Sequence, residues 1–254
     1  MSGHSKWATI KHKKGAADKA RGKLFAKLIR QVEVAAREGG GDIDANATLR
    51  SMYAKAREAS VPLDTIERAI KRGTGELEGV HYEQVSYEGY APCGVALIVE
   101  CLTDNRNRTG PDIRATFSKN GGSMAEPGAV AWQFERKGII TVPKGVGAKA
   151  VTEDDLMLVA LDAGAEDIRD GGESWEITTP PSDFAAVRDA LEKSGVTVES
   201  AEPTMVASST IPLATESDAR KVLRLVDLLE EHDDVQNVYA NFDIPDEILD
   251  LVEA

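Results

Sequence analysis

Positive and negative charge are segregated along this 254-residue chain, and the segregation limits how it can fold. Nine of the first thirty residues are Lys or Arg, and only Asp18 among them is acidic. Residues 1–79 hold 16 Lys and Arg against 10 Asp and Glu; residues 80–254 hold 14 against 33. The formal net charge of −13 conceals this split. A small basic contact module joined to an acidic body that repels polyanions accounts for it. A solvated basic tail without a partner is the simpler alternative.

The length suits two or three modest domains, and 42% hydrophobic with 29% charged residues is ordinary for a globular chain. No run approaches 18 uncharged apolar residues, so no transmembrane helix and no membrane partner are expected. The basic opening leads into no apolar stretch, which argues against a secretory signal. With only Cys93 and Cys101 a disulfide framework is excluded, and a reducing cytoplasm is the expected location. Both cysteines are expected to be buried apolar residues of one strand. His4, His12, His81 and His232 are scattered and no Cys-x-x-Cys occurs, so neither a metal nor another cofactor is expected.

Residues 17–38 read as an amphipathic helix. At about 100° per residue, Leu24, Phe25, Leu28, Ile29, Val32, Ala35 and Ala36 share one face. Lys19, Lys23, Lys27, Arg30 and Arg37 form a separate stripe whose only apolar member is Val34. No acidic residue follows a stripe residue by four, so pairing within the helix is not expected to neutralise it. Five like charges along about 27 Å repel one another, and a phosphate backbone would relieve that. Ahead of the helix, Lys6, Trp7, Lys11, His12, Lys13 and Lys14 form a basic arm. Trp7 could stack on a base between lysine–phosphate contacts, or anchor the arm to the helices.

Gly39-Gly40-Gly41 ends this helix. A second is expected over 46–59, with Leu49, Met52, Tyr53 and Ala56 on one face, and a third up to about Arg72. Asp64 and Glu67 have capping-box spacing for the third. The three make a small bundle that could be a helix-turn-helix.

The acidic remainder alternates strand and helix signals. Strands are expected over 82–90, 94–102, 129–134 and 138–142, with a helix over 106–119 whose start Gly110-Pro111 delays or breaks. Next come a helix over 153–163, strands over 166–170 and 174–179, a helix over 182–194 and a strand over 196–201. Residues 138–201 thus read β-α-β-β-α-β, a ferredoxin-like unit. A strand over 205–212, a helix over 216–230 and a strand over 235–242 follow. The expected fold is α+β and multi-domain. A basic helical domain (1–79) precedes two ferredoxin-like α/β domains, one (137–203) inserted in the other (80–136 plus 204–254).

Catalytic machinery is not visible: no G-x-S-x-G, no Walker A, and no placed carboxylate pair. Glu153-Asp154-Asp155 reads as a first helical turn, and the acidic run 230–234 as a surface loop. The unusual polar segment is Thr103-Asp104-Asn105-Arg106-Asn107-Arg108-Thr109, after a buried strand. It reads either as a binding loop built on Asp104, Asn105, Arg106, Asn107 and Arg108, or as a capped helix start.

Gly3-His4-Ser5-Lys6-Trp7, Ile10-Lys11-His12-Lys13, Tyr87-Glu88-Gly89-Tyr90, Leu102 to Thr109 and Phe134-Glu135-Arg136-Lys137-Gly138 together resemble the YebC family of probable transcriptional regulators. The resemblance covers essentially the whole chain. It implies three domains, a cytoplasmic location and regulatory DNA binding; related members, including a mitochondrial translational activator, are associated with translation. The chain departs from the family pattern at Ala91-Pro92-Cys93-Gly94, where Gly-Pro-Gly-Gly is common. The reading is a non-enzymatic DNA-binding regulator that contacts phosphates through residues 4–37. The alternatives are a translation factor using the same arm on ribosomal or transfer RNA, and an acidic interaction protein whose arm only docks on its own body. The acidic domains could also recruit a protein partner.

Overall fold

A computed structural model describes residues 18–145 and 150–253. These form two compact units. One comprises 131–212 with 241–243; the other comprises the described residues up to 130 with 213–240 and 244–253.

The larger unit begins with three helices, α1 (Asp18–Gly39), α2 (Ala47–Glu58) and α3 (Leu63–Gly73). The expected apolar faces meet: Leu28, Val32, Ala35 and Ala36 of α1 are buried with Leu49 and Ala56 of α2 and Ile66 and Ala69 of α3. Buried Asn46 caps α2 by accepting from Leu49 N at 3.0 Å and donates to Ala35 O and Gly40 O, both at 2.8 Å. It thereby fastens the start of α2 to the last turns of α1 and the glycine that follows it. Asp64 and Glu67 do not cap α3: the helix begins at Leu63, its cap position is Pro62, and no side chain closes it. Asp64 lies two positions past the cap, inside the first turn.

The same unit holds an antiparallel sheet in the order β3-β1-β2-β9, from β1 (Glu83–Tyr90), β2 (Ala96–Thr103), β3 (Ser123–Ala125) and β9 (Val235–Ala240). Helix α4 (Arg106–Lys119) carries the chain from β2 past β1 to β3. It starts from Asn105, which accepts from Arg108 N, and runs unbroken through Pro111. No strand forms at 129–133. Glu88 instead takes Gly128 N at 2.6 Å and Val130 N at 2.7 Å, amides a strand would have used, and a 3₁₀ turn follows over Ala131–Gln133. The cysteines separate. Cys101 is buried on β2, whereas Cys93 is exposed in the turn before it with φ of 64°. Burial pushes the Cys101 thiol up to about 12.

The smaller unit is an antiparallel sheet in the order β5-β6-β4-β7. Its elements run β4 (Phe134–Pro143), α5 (Glu153–Leu156), β5 (Asp167–Asp170), β6 (Ser174–Thr179), α6 (Phe184–Lys193) and β7 (Ser200–Ala207). That is the expected ferredoxin-like order. Its core joins Ile140, Val142, Leu156, Ala160, Ile177, Val187 and Leu191. Thr152 and Asp155 form a capping box on α5, and the chain then widens into a π turn over Met157–Leu161 where a regular helix was expected. Strand β4 continues through Glu135-Arg136-Lys137 rather than breaking there. Strand β7 starts at Ser200, not Val196, and passes through Pro203, whose missing N–H an edge strand tolerates. Of the strand expected over 205–212, β7 covers the start and a separate β8 (Ile211–Pro212) pairs in parallel with β10 (Phe242–Asp243). Helix α7 (Glu216–Glu230) and β9 return the chain to the larger unit, and α8 (Asp246–Glu253) closes it.

Candidate nucleic-acid interface

Lys6, Trp7, Lys11, His12, Lys13 and Lys14 lie outside the described residues, and for Lys19 only the backbone, on the first turn of α1, is described. Lys23, Lys27 and Arg30 are described, and they are engaged. Lys23 Nζ donates to Glu231 O at 2.7 Å and Lys27 Nζ to Glu230 O at 2.8 Å. Arg30 donates to Asp233 O at 2.7 Å and to Asp234 Oδ1 at 3.2 Å, with its guanidinium 5.6 Å from the Tyr82 ring centroid. About two turns of the stripe therefore meet the end of α7, within the larger unit.

The chemistry follows from helix termini. The last carbonyls of a helix lack intrahelical donors and carry the negative end of its dipole. Helix α7 has no base in its last turn and ends in Glu230, followed by Glu231. That arrangement is unfavourable in isolation, and the cations of α1 relieve it from outside. The segment 230–234 is accordingly not a free surface loop: Asp234 is 3% exposed.

Asp234 joins three segments. Its Oδ2 accepts from Arg108 at 2.8 Å, Thr109 Oγ1 at 2.7 Å and Thr103 Oγ1 at 3.2 Å, while Oδ1 faces Arg30. Burial opposes ionisation. Hydrogen bonds from Arg108 and Thr109, with the charges of Arg108 and Arg30, outweigh it and hold the carboxyl below its ordinary value. The segment 103–109 is thus the capped helix start the sequence offered as one alternative, fastened to Asp234 by both threonines. Asp104 pairs with Arg108 at 2.9 Å, Asn105 is the cap, and Arg106 stands 3.7 Å from Glu83 on the surface. Asn107 is exposed. Lys23, Arg30, Tyr82, Asp104, Arg108 and His232 share an open cleft of about 590 Å³ with four further acidic residues.

The far end of the stripe is neutralised within its own helix, against expectation. Glu33, 2% exposed, accepts from Arg37 at 3.2 Å and from Arg72 of α3 at 2.8 Å. The acid precedes Arg37 by four residues, the direction left out when only following acids are counted. Val34, the apolar residue within the stripe, is buried too. It was the sign in the sequence that this face is covered; Asp234 and the 230–234 turn were the residues missed.

Among the described residues no group of His, Cys, Asp or Glu is placed to hold a metal ion, and no helix is long and apolar enough to cross a membrane. Residues 5–76 match the family model of the TACO1/YebC protein N-terminal domain, and residues 82–242 that of the TACO1/YebC second and third domain. A "probable transcriptional regulatory protein" of Thermobifida fusca is 58% identical over 250 residues, covering 98% of each chain. One of Salinispora arenicola, with the same name, is 56% identical over the same shares. The crystal structure of a conserved hypothetical protein from Aquifex aeolicus superposes with a TM-score of 0.78 at 49% identity, covering 90% of this chain and 93% of that one. With both parts of its length matched in this way, the chain belongs to the TACO1/YebC family.

Proposed function

We propose that this chain is a non-enzymatic regulator of gene expression that binds DNA. Phosphates are met by Lys11, Lys13, Lys14, Lys19, Lys23, Lys27 and Arg30, with Trp7 stacking or anchoring. One observation carries the reading: nine cations against one acid in the first thirty residues of a chain whose remainder is acidic. The name shared by the relatives from Thermobifida fusca and Salinispora arenicola points the same way. Ribosomal or transfer RNA offers the same phosphates, so a translation factor acting through these cations is the competing reading.

The test is equilibrium binding of the full chain to a fluorescent DNA duplex across a salt series. With about five to seven phosphates engaged, log K falls against log[salt] with a slope of about −4.5 to −6. Reversing Lys11, Lys13 and Lys14 to Glu together lowers affinity at least about tenfold and flattens the slope by roughly 3. An unchanged affinity and slope contradict the proposal.

A further inference from the structure

We infer that the seat of α1 on the end of α7 is an autoinhibitory contact, in which the chain's own helix terminus stands in for phosphate. The inference rests on the nucleic-acid reading above and adds its regulation. Lys23, Lys27 and Arg30 repeat at i, i+4 and i+7, spanning about 10 Å of α1. Each meets a main-chain carbonyl oxygen of residues 230–233, and Arg30 also meets the Asp234 carboxylate. The turn thus presents a row of oxygen acceptors at the negative end of a helix dipole, flanked by the acids Glu231 and Asp233. The same ammonium and guanidinium protons cannot serve these acceptors and a phosphate at once. Nucleic acid engages the full set of these donors only when the turn lets go. The arrangement also explains how an acidic body rejects weak polyanions: an incoming strand must displace an intramolecular competitor held at high local concentration.

Release is within reach at Lys23 and Lys27, whose hydrogen bonds to main-chain carbonyls lie at a partly exposed edge and each contribute little, whereas the Arg30–Asp234 pair is the buried end of the contact. The turn itself is tied by His232 N to Leu229 O at 3.1 Å, Val235 N to His232 O at 3.1 Å, and Asp234 N to His232 Nδ1 at 3.2 Å. Those amides report whether it opens.

The experiment compares two charge-matched variants of the full chain. Glu231→Gln with Asp233→Asn weakens the docked state at two exposed acids. Glu153→Gln with Asp154→Asn removes the same charge from exposed positions of the smaller unit. Affinity for a labelled duplex DNA is measured for both, and amide hydrogen exchange at 232, 234 and 235 is measured in wild type with and without saturating duplex. The expected result is a roughly three- to tenfold affinity gain for the first variant only, because two exposed negative charges beside the carbonyl acceptors no longer attract the cations of α1. It comes with faster exchange at all three amides in the complex. Equal gains in the two variants, or amides that keep their protection in the saturated complex, overturn the inference and leave the contact as permanent scaffold. Failure of wild type and both variants to bind duplex at low salt overturns the DNA reading itself, and the inference with it.

Discussion

Arg30 on α1 reaches Asp234 at 3.2 Å from a position 204 residues earlier in the chain, and the carboxylate it meets is almost fully buried. Its second oxygen holds Arg108, Thr109 and Thr103. The first helix, the start of α4 and the turn before β9 are thereby tied to one side chain. Replacing Asp234 with Ala leaves both threonines hydrogen-bonded to each other but strips two arginines of a partner. A loss of about 3 kcal/mol in unfolding free energy is expected, measured by urea denaturation. A loss below about 0.5 kcal/mol would show the hub to be ornamental.

The pH dependence of that contribution has a definite sign. The folded carboxyl of Asp234 sits below its ordinary value, so the folded state binds fewer protons than the unfolded one in the acid range. The stabilisation is full above the unfolded value of about 3.9 and is lost as pH falls through the folded value. The stability difference between wild type and Asp234→Asn should therefore shrink between about pH 5 and pH 2. Asp155, Asp170 and Asp218, also held low, cancel in the comparison. A difference constant over that range would assign the effect to shape rather than charge.

Helices α1 and α3 touch at Gly73. A Cβ there would stand 2.4 Å from Glu33 O and 2.7 Å from Ala36 Cβ, neither of which can swing aside. Gly73→Ala should cost about 2–3 kcal/mol by forcing the helices apart. It should also disturb the nearby Glu33–Arg72 pair. Circular dichroism melting checks the first, and a wild-type midpoint would refute the packing described.

Ser60 ends α2 in a left-handed conformation, φ 64°, with Ser60 N bonded to Arg57 O and Val61 N to Ala56 O. Glycine suits that position. Ser60→Gly is expected to raise stability by about 0.5–1 kcal/mol, read as a higher urea midpoint at unchanged slope. A lower midpoint would mean the hydroxyl matters more than the backbone.

Local patterns in the sequence carried much of the fold. The apolar positions of α1 and α2, the span of α7 and the β-α-β-β-α-β order of 138–201 each follow from short-range periodicity. What it could not supply depends on distant partners. No local rule says that Glu88 will take the amides of Gly128 and Val130 and prevent a strand there. Asp234 belongs to an acidic run that looks solvated until Arg30 and Arg108 are brought beside it. Within the interface, the cations were legible as a stripe, and Val34 hinted at cover, but the covering turn lies about two hundred residues away. Cys93 shows the converse: its small apolar character suggested burial, yet a left-handed turn exposes it.

The most direct test of the central claim is crosslinking of the tagged full chain in living cells, followed by sequencing of all attached DNA and RNA. The account predicts discrete DNA peaks near promoters, lost when Lys11, Lys13 and Lys14 are reversed to Glu. Crosslinks dominated by ribosomal or transfer RNA, with no DNA peak that responds to those charges, would contradict it.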